Sequence, residues 1–218
     1  MKILIKIIIL LIIIPSKSFS LIEVDITRGN LDPLPIAVSP LSIDENSRQN
    51  FEKILKKRNI GEEISKIIEV NLKTSGLFNP LNKDAFLQAP DIANLKPRFE
   101  DWNLIKAQAL ITGKVSYLDE KLRVEFRLWD VLAGKEMVAL AFTTVPTNWR
   151  RVGHIITDKV YQRLTGEKGY FDTRIIYVAE EGPKTKRIKK LAIMDQDGAN
   201  NKFLTLGNEL VLTPRFNP

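Results

Sequence analysis

Three consecutive runs of alternating residues, 107–118, 121–131 and 135–145, constrain the fold of this chain more than any other feature. The middle run, KLRVEFRLWDV, puts Leu122, Val124, Phe126 and Leu128 on one side and Arg123, Glu125 and Arg127 on the other, the period of a half-buried strand. The breaks at Asp119–Glu120 and Ala133–Gly134 are too short for a crossover, so the three runs form an antiparallel meander. Its apolar face needs a cover, and TNWRRVGHIITDKVYQRLTG follows at once. There Trp149, Val152, Ile156, Val160 and Leu164 recur at helical spacing, Thr147 or Asn148 is the expected cap, and Gly166 ends the helix.

Upstream, residues 47–76 read as helical. Ile60, Ile64, Ile67, Ile68 and Leu72 form one apolar face, Asn59 with Glu62 resembles a capping box, and Gly76 suits the left-handed residue past the end. Leu77 and Phe78 can pack back on this helix, and Asn79–Pro80 is expected to turn the chain. Residues 100–106, with Trp102 and Ile105, suggest a further short helix. Before these elements, DPLP (Asp32 to Pro35) reads as a hinge-like break, since prolines do not join a ladder from the middle. IAVSPL is then a short strand stopped at Pro40. Helices mixed with a small, largely antiparallel sheet predict an α/β domain that closes near residue 165.

The texture changes after residue 166. TRIIYVAEEG, KRIKKLAIMDQDG and NKFLTL read as short strands, with a turn at Asp197–Gly198 and no helix. A unit of this size buries no core by itself and needs neighbours, as propeller blades do. The last residues, LVLTPRFNP, stop where a further element is expected.

At the other end, MKILIKIIILLIIIPSKSFS joins Lys2 and Lys6 to the apolar run Ile7 to Ile14, with small residues Ser18 and Ser20 at the cleavage positions. This predicts a secretory signal peptide over residues 1–20, too short to be a spanning anchor. Next comes LIEVDITRGN, whose Ile22, Val24 and Ile26 alternate with Glu23, Asp25 and Thr27. It reads as a strand cut off by the prolines, either a sheet edge or a detachable arm. Formal net charge is +7, and loss of Lys2, Lys6 and Lys17 with the signal leaves +4. So modest a charge on an exported chain argues against nucleic acid as a partner. The basic run KTKRIKK (Lys184 to Lys190) reads as a solvated hairpin loop. If it binds anything, anionic lipid head groups or peptidoglycan are nearer at hand than DNA.

Catalytic chemistry finds little to work with. There is no cysteine and one histidine, His154, four residues before Asp158 and on the same helix face. A partly buried structural role is expected for it. In DQDGANN (Asp195 to Asn201), Gly198 stands at the fourth position rather than the sixth, so the segment is no EF-hand loop. Adjacent Glu180 and Glu181 point to opposite sides of a strand. LTGEKG lacks the spacing of a phosphate loop. No cofactor, metal site or catalytic residue is expected, and binding is the expected role.

Four stretches carry a resemblance: NLKTSGLFNPLNK (Asn71 to Lys83), ALITGKV (Ala109 to Val115), VGHIITDKVYQRLTGEKGYFDTRIIYV (Val152 to Val178) and DQDGANN. In order and spacing the chain resembles the TolB family of the periplasmic Tol–Pal system. The resemblance implies an N-terminal α/β domain, a mixed sheet with helices, over residues 21–165. It implies a linker and the first strands of a truncated β-propeller, a partial first blade, over 166–218, with TPRFNP standing where the family leads into its next propeller unit. It implies a non-enzymatic adaptor between TolA at the inner membrane and Pal at the outer membrane, supporting outer-membrane integrity and constriction at division. The family's TolA contact maps onto Leu21, Ile22, Glu23, Val24, Asp25, Ile26, Thr27 and Arg28, where Asp25 and Arg28 depart from the family's pattern. The family's Pal site lies on the propeller and is largely missing from this chain. Two rivals differ in class. The N-terminal part of a secreted propeller-containing peptidase would need a G-x-S-x-G elbow beyond residue 218. A nucleic-acid binder could share an anticodon-binding-like fold, but fold does not carry function.

Overall fold

The computed structural model describes residues 32–57, 59–207 and 211–216. The signal peptide and the strand expected at 21–30 lie outside them. The meander is present: β4 (Ala109–Leu118), β5 (Lys121–Asp130) and β6 (Lys135–Thr144) pair antiparallel in sequence order. The β4–β5 turn is tight because Asp119 and Glu120 both take positive φ, 48° and 59°, the geometry whose twist matches paired strands.

Three parallel pairings complete the sheet. β1 (Leu34–Val38) lies between β3 (Phe78–Pro80) and β4, and β2 (Ser42–Ile43) also pairs with β4. The hinge-like reading of DPLP is thereby corrected, because β1 begins inside it, at Leu34. Pro35 is tolerated because the β1–β4 register starts only at Ile36 and Ala109. Its missing N–H falls ahead of the ladder, while its carbonyl still accepts from the Gln108 N–H at 3.0 Å. Pro80 is tolerated for another reason: it lies on an edge strand, in β3, where a turn was expected.

Apolar side chains cover the sheet unequally. On one face Ile36, Val38, Ile111, Val124, Phe126 and Leu128 pack with α2 (Ile60–Thr74) and α5 (Trp149–Thr165) in the main core. On the other, Ala37 and Leu110 meet Trp102 and Ala93 from the short helices α4 (Phe99–Leu104) and α3 (Pro90–Leu95). Strands covered on both faces read as near-continuous apolar text, and β5, covered on one, alternates.

The single helical stretch expected at 47–76 is two helices. α1 (Glu45–Leu55) ends where Lys56 turns left-handed, φ 57°, before α2 begins. Asn59 makes no cap; its side-chain amide donates to Glu62 Oε2 at 2.6 Å. Asn148 likewise makes no cap, and its amide donates to Thr144 Oγ1 at 3.0 Å. A cap with correct geometry forms at Asp44, which accepts from the Ser47 N–H at 2.9 Å and the Ser47 hydroxyl at 2.9 Å. The backbone bond from Ser47 is the main cause that lowers the Asp44 pKa. Asp44→Ala should cost about 1 kcal/mol. A lowered carboxyl pKa means that this stability is present above the ordinary carboxylate range and is lost as pH falls through the folded-state value. Urea titrations of both proteins at neutral and acid pH check this, and the gap between them should close in acid.

Beyond α5, β7 (Arg174–Glu181), β8 (Ile188–Asp195) and β9 (Lys202–Phe203) form a separate antiparallel sheet. Ala192 is its one buried apolar residue among those described. Much of the basic run is neutralised across the hairpin: Glu180 pairs with Lys189 at 3.0 Å and Arg187 at 3.4 Å, and Glu181 with Lys190 at 2.9 Å. The Lys189 hydrogen bond is the first cause that lowers the Glu180 pKa.

Candidate functional site

The TolA-contact candidates Leu21, Ile22, Glu23, Val24, Asp25, Ile26, Thr27 and Arg28 lie outside the described residues. Among the described residues, polar side chains converge where the first half of α5 meets the β8–β9 loop. α5 presents its apolar stripe to the core and its Arg150, Arg151 and His154 to this seam.

His154 is buried, and the expected neighbour Asp158 is not its partner. Asp158 accepts from the backbone N–H groups of Phe171 at 2.7 Å and Asp172 at 3.1 Å, pinning the segment that leaves α5. The His154 ring turns to α2 instead, with Nδ1 2.9 Å from Asn71 Nδ2. Asn71 Nδ2 also donates to Thr157 Oγ1 at 3.3 Å, and its Oδ1 accepts from Gln196 Nε2 at 2.9 Å. One buried amide therefore joins α2, α5 and the β8–β9 loop. As the Asn71 amide donates to Nδ1, a neutral ring carries its proton on Nε2. Burial, chiefly, pushes the His154 pKa down; the Arg150 charge adds to this and Asp197 opposes it.

Two ion pairs flank the network. Arg150 binds Asp197 and lies over the Trp149 ring, 5.5 Å from its centroid. Arg151 grips Asp172 in a fork, with contacts of 3.0, 3.2 and 3.1 Å, which raises the Arg151 pKa. Between them opens a cleft of about 400 Å³, lined among others by Asn148, Arg150, His154, Arg174 and Asp195.

The arrangement holds elements together. It does not resemble a nucleophilic centre. The hydroxyls of Thr157 and Thr173 donate to the backbone carbonyls of Gly153 at 2.9 Å and Tyr170 at 2.7 Å, so neither is aimed at the His154 base. Sequence reasoning missed Asn71 and Gln196. For Asn71 a signal existed: it falls four residues after Ile67, on the apolar stripe of α2, where a polar residue must find a buried partner. Gln196 was hidden inside text that reads as a turn.

A model of the TolB amino-terminal domain matches residues 22–137, and a model of the TolB β-propeller domain matches residues 161–218. The chain belongs to the TolB family. The Tol-Pal system protein TolB of Pelagibacter ubique (strain HTCC1062) is 82% identical over 210 residues, covering 96% of this chain and 47% of that protein. The chain thus spans about half the length of this curated TolB relative. The crystal structure of TolB from Acinetobacter baumannii superposes with a TM-score of 0.67 at 24% identity, over 88% of this chain and 43% of that one. That likeness concerns the fold: a mixed sheet with helices, followed by propeller strands, is the TolB architecture found here.

Proposed function

We propose that this chain acts as a non-enzymatic periplasmic adaptor of the Tol–Pal system, joining TolA to Pal in support of outer-membrane integrity and cell constriction. The observation that carries this reading is the 82% identity, over 96% of the chain, to a protein named for that system. The polar seam fits an adaptor, since its hydrogen bonds and ion pairs fix one element to another.

TolA contact is assigned to Leu21 through Arg28. The alternation of Ile22, Val24 and Ile26 with polar residues suits addition to a partner's sheet edge, with main-chain bonds giving affinity and pockets for those three side chains giving specificity. Deletion of Leu21 to Asn30 should leave the circular dichroism spectrum unchanged and abolish capture of TolA from the same organism. Val24→Asp should weaken capture more than Glu23→Ala. Wild-type capture by the deletion protein would move the TolA site to the α/β domain.

The proposed units are the signal peptide at 1–20, the α/β domain at 21–165 and the propeller segment from 166. Limited proteolysis should cut first within Gly182–Arg187, an exposed loop between β7 and β8. The stretch just after α5 is the other loop candidate, but Gly169 packs against Asp158 and Phe171 is buried, so it should resist. A first cut inside Asn148 to Leu164 would contradict the boundary.

A further inference from the structure

The His154 nitrogen that faces the β8–β9 loop is buried and has no hydrogen-bond partner. The side chain is 3% exposed, and Asp197 Oδ2 stands 3.7 Å from Nε2. Asp195 converges on the same point: one ligand atom from each of His154, Asp195 and Asp197 lies within 4.8 Å of the others. We propose that His154 Nε2 and carboxylate oxygens of Asp195 and Asp197 form a site for a divalent transition cation of the zinc type, tying α5 to the β8–β9 loop.

One imidazole and two carboxylates make a nitrogen–oxygen donor set that zinc takes at about 2.0–2.2 Å, with a fourth position left to water. The cleft beside Asp195 opens that position to solvent. Calcium and magnesium prefer oxygen alone and fit an imidazole poorly. The carboxylates are already oriented: Asp195 Oδ2 accepts from Asn200 Nδ2 at 2.6 Å, and Asp197 Oδ1 from the Ala199 N–H at 3.1 Å.

Ligation requires Nε2 without its proton, so Nδ1 must carry one and donate it. Asn71 can accept it. A half-turn of its amide brings Oδ1 to His154 and Nδ2 to Gln196, whose amide turns in concert. Only the 3.3 Å bond to Thr157 is given up. The two amides therefore serve either ring tautomer.

Arg150 opposes the cation, since it holds Asp197 and adds a like charge. Its side chain is 26% exposed at the cleft and can swing outward. Arg150 is thus a gate on affinity, and its neutral replacement should tighten the site.

The chain has one histidine and no cysteine, so untagged protein gives a clean test. Zinc is titrated by calorimetry, and the tautomer of the lone ring is read by long-range nitrogen–proton NMR. One equivalent of zinc should bind, and the ring should pass from the Nε2–H to the Nδ1–H form. Arg150→Gln should tighten binding roughly tenfold, the order of effect that one neighbouring charge has on an ionic equilibrium. His154→Gln should abolish it. Asp195→Asn, at a less buried position, should weaken binding with unchanged circular dichroism, which covers the case in which His154→Gln does not fold. Absence of binding, equal binding by His154→Gln or by a folded Asp195→Asn, or a ring still protonated at Nε2 at saturating zinc would each overturn the site.

Discussion

Phe171→Ala should destabilise the protein by about 3–5 kcal/mol, the range for truncating a buried aromatic ring. Phe171 follows α5 in the chain, yet it is 1% exposed and belongs to the main core. Its ring stacks on Tyr170 at 4.4 Å and meets Tyr161 edge-on at 5.7 Å. Its own N–H is held by Asp158. The residue is thus a plug that seats the beginning of the second sheet in the core of the first. Urea unfolding should show the loss in midpoint. Hydrogen exchange should rise in β7 and β8 more than in the meander, because the β-unit depends on the plug and has almost no core of its own. Phe171→Leu should recover a large part of the stability. A loss below about 1 kcal/mol, the mean of ordinary substitutions, would mean that the plug does not bear on the core.

Gly61→Ala should cost about 3 kcal/mol, although alanine in a helix interior is ordinarily worth about 1 kcal/mol over glycine. A Cβ at this position would stand 2.1 Å from the Leu41 carbonyl oxygen and 3.0 Å from its carbon. Both are backbone atoms, so no rotamer change relieves the contact. The approach is held from the other side as well. Ser65 Oγ accepts from the Leu41 N–H at 2.9 Å, and its single O–H faces the carbonyls of Gly61 at 3.0 Å and Ser39 at 3.2 Å. Gly76→Ala is the control. Its Cβ would meet nothing within 4 Å, but φ is +75°, and the conformational cost alone is about 1 kcal/mol. Thermal melts should therefore rank wild type above Gly76→Ala and Gly76→Ala above Gly61→Ala. The reverse order of the two variants would rule out the close contact of α2 with Leu41.

What the sequence discloses depends on how local each cause is. β5 is legible because one buried face makes it alternate, and α5 because Trp149, Val152, Ile156, Val160 and Leu164 share one buried stripe. The Lys56 break is not, since a lysine in the left-handed region leaves no mark that glycine or asparagine would. The strand over Ile36 to Val38 is legible in IAVSPL, but its start at Leu34 was misjudged, because the effect of Pro35 depends on where the β4 ladder begins, and that pairing joins Ile36 to the distant Ala109. The seam is a mixed case. Asn71 interrupts an isoleucine stripe and so announces a buried partner, while nothing near His154 in sequence points to Gln196 or Asp197. The same distance concealed the carboxylates around the ring: DQDGANN fails as a calcium loop, and the imidazole that alters its chemistry comes from a helix.

The position of β1 bears on how the chain can be made. β1 is the first strand of the sheet in chain order, but its parallel neighbours are β3 and β4, which follow after long intervening segments. As the polypeptide emerges from its N-terminal side, Leu34 to Val38 has no neighbour until Phe78 to Pro80 is out, and its second edge stays open until Ala109 to Ile111 follows. The β4–β5–β6 hairpins need only their own short turns, so loop closure favours them over the pairing of β1 with the distant β4. Through that interval an apolar strand with open edges is exposed to any other unfinished chain. Pauses in elongation between β1 and β4 should therefore favour aggregation, and pauses after β6 should not.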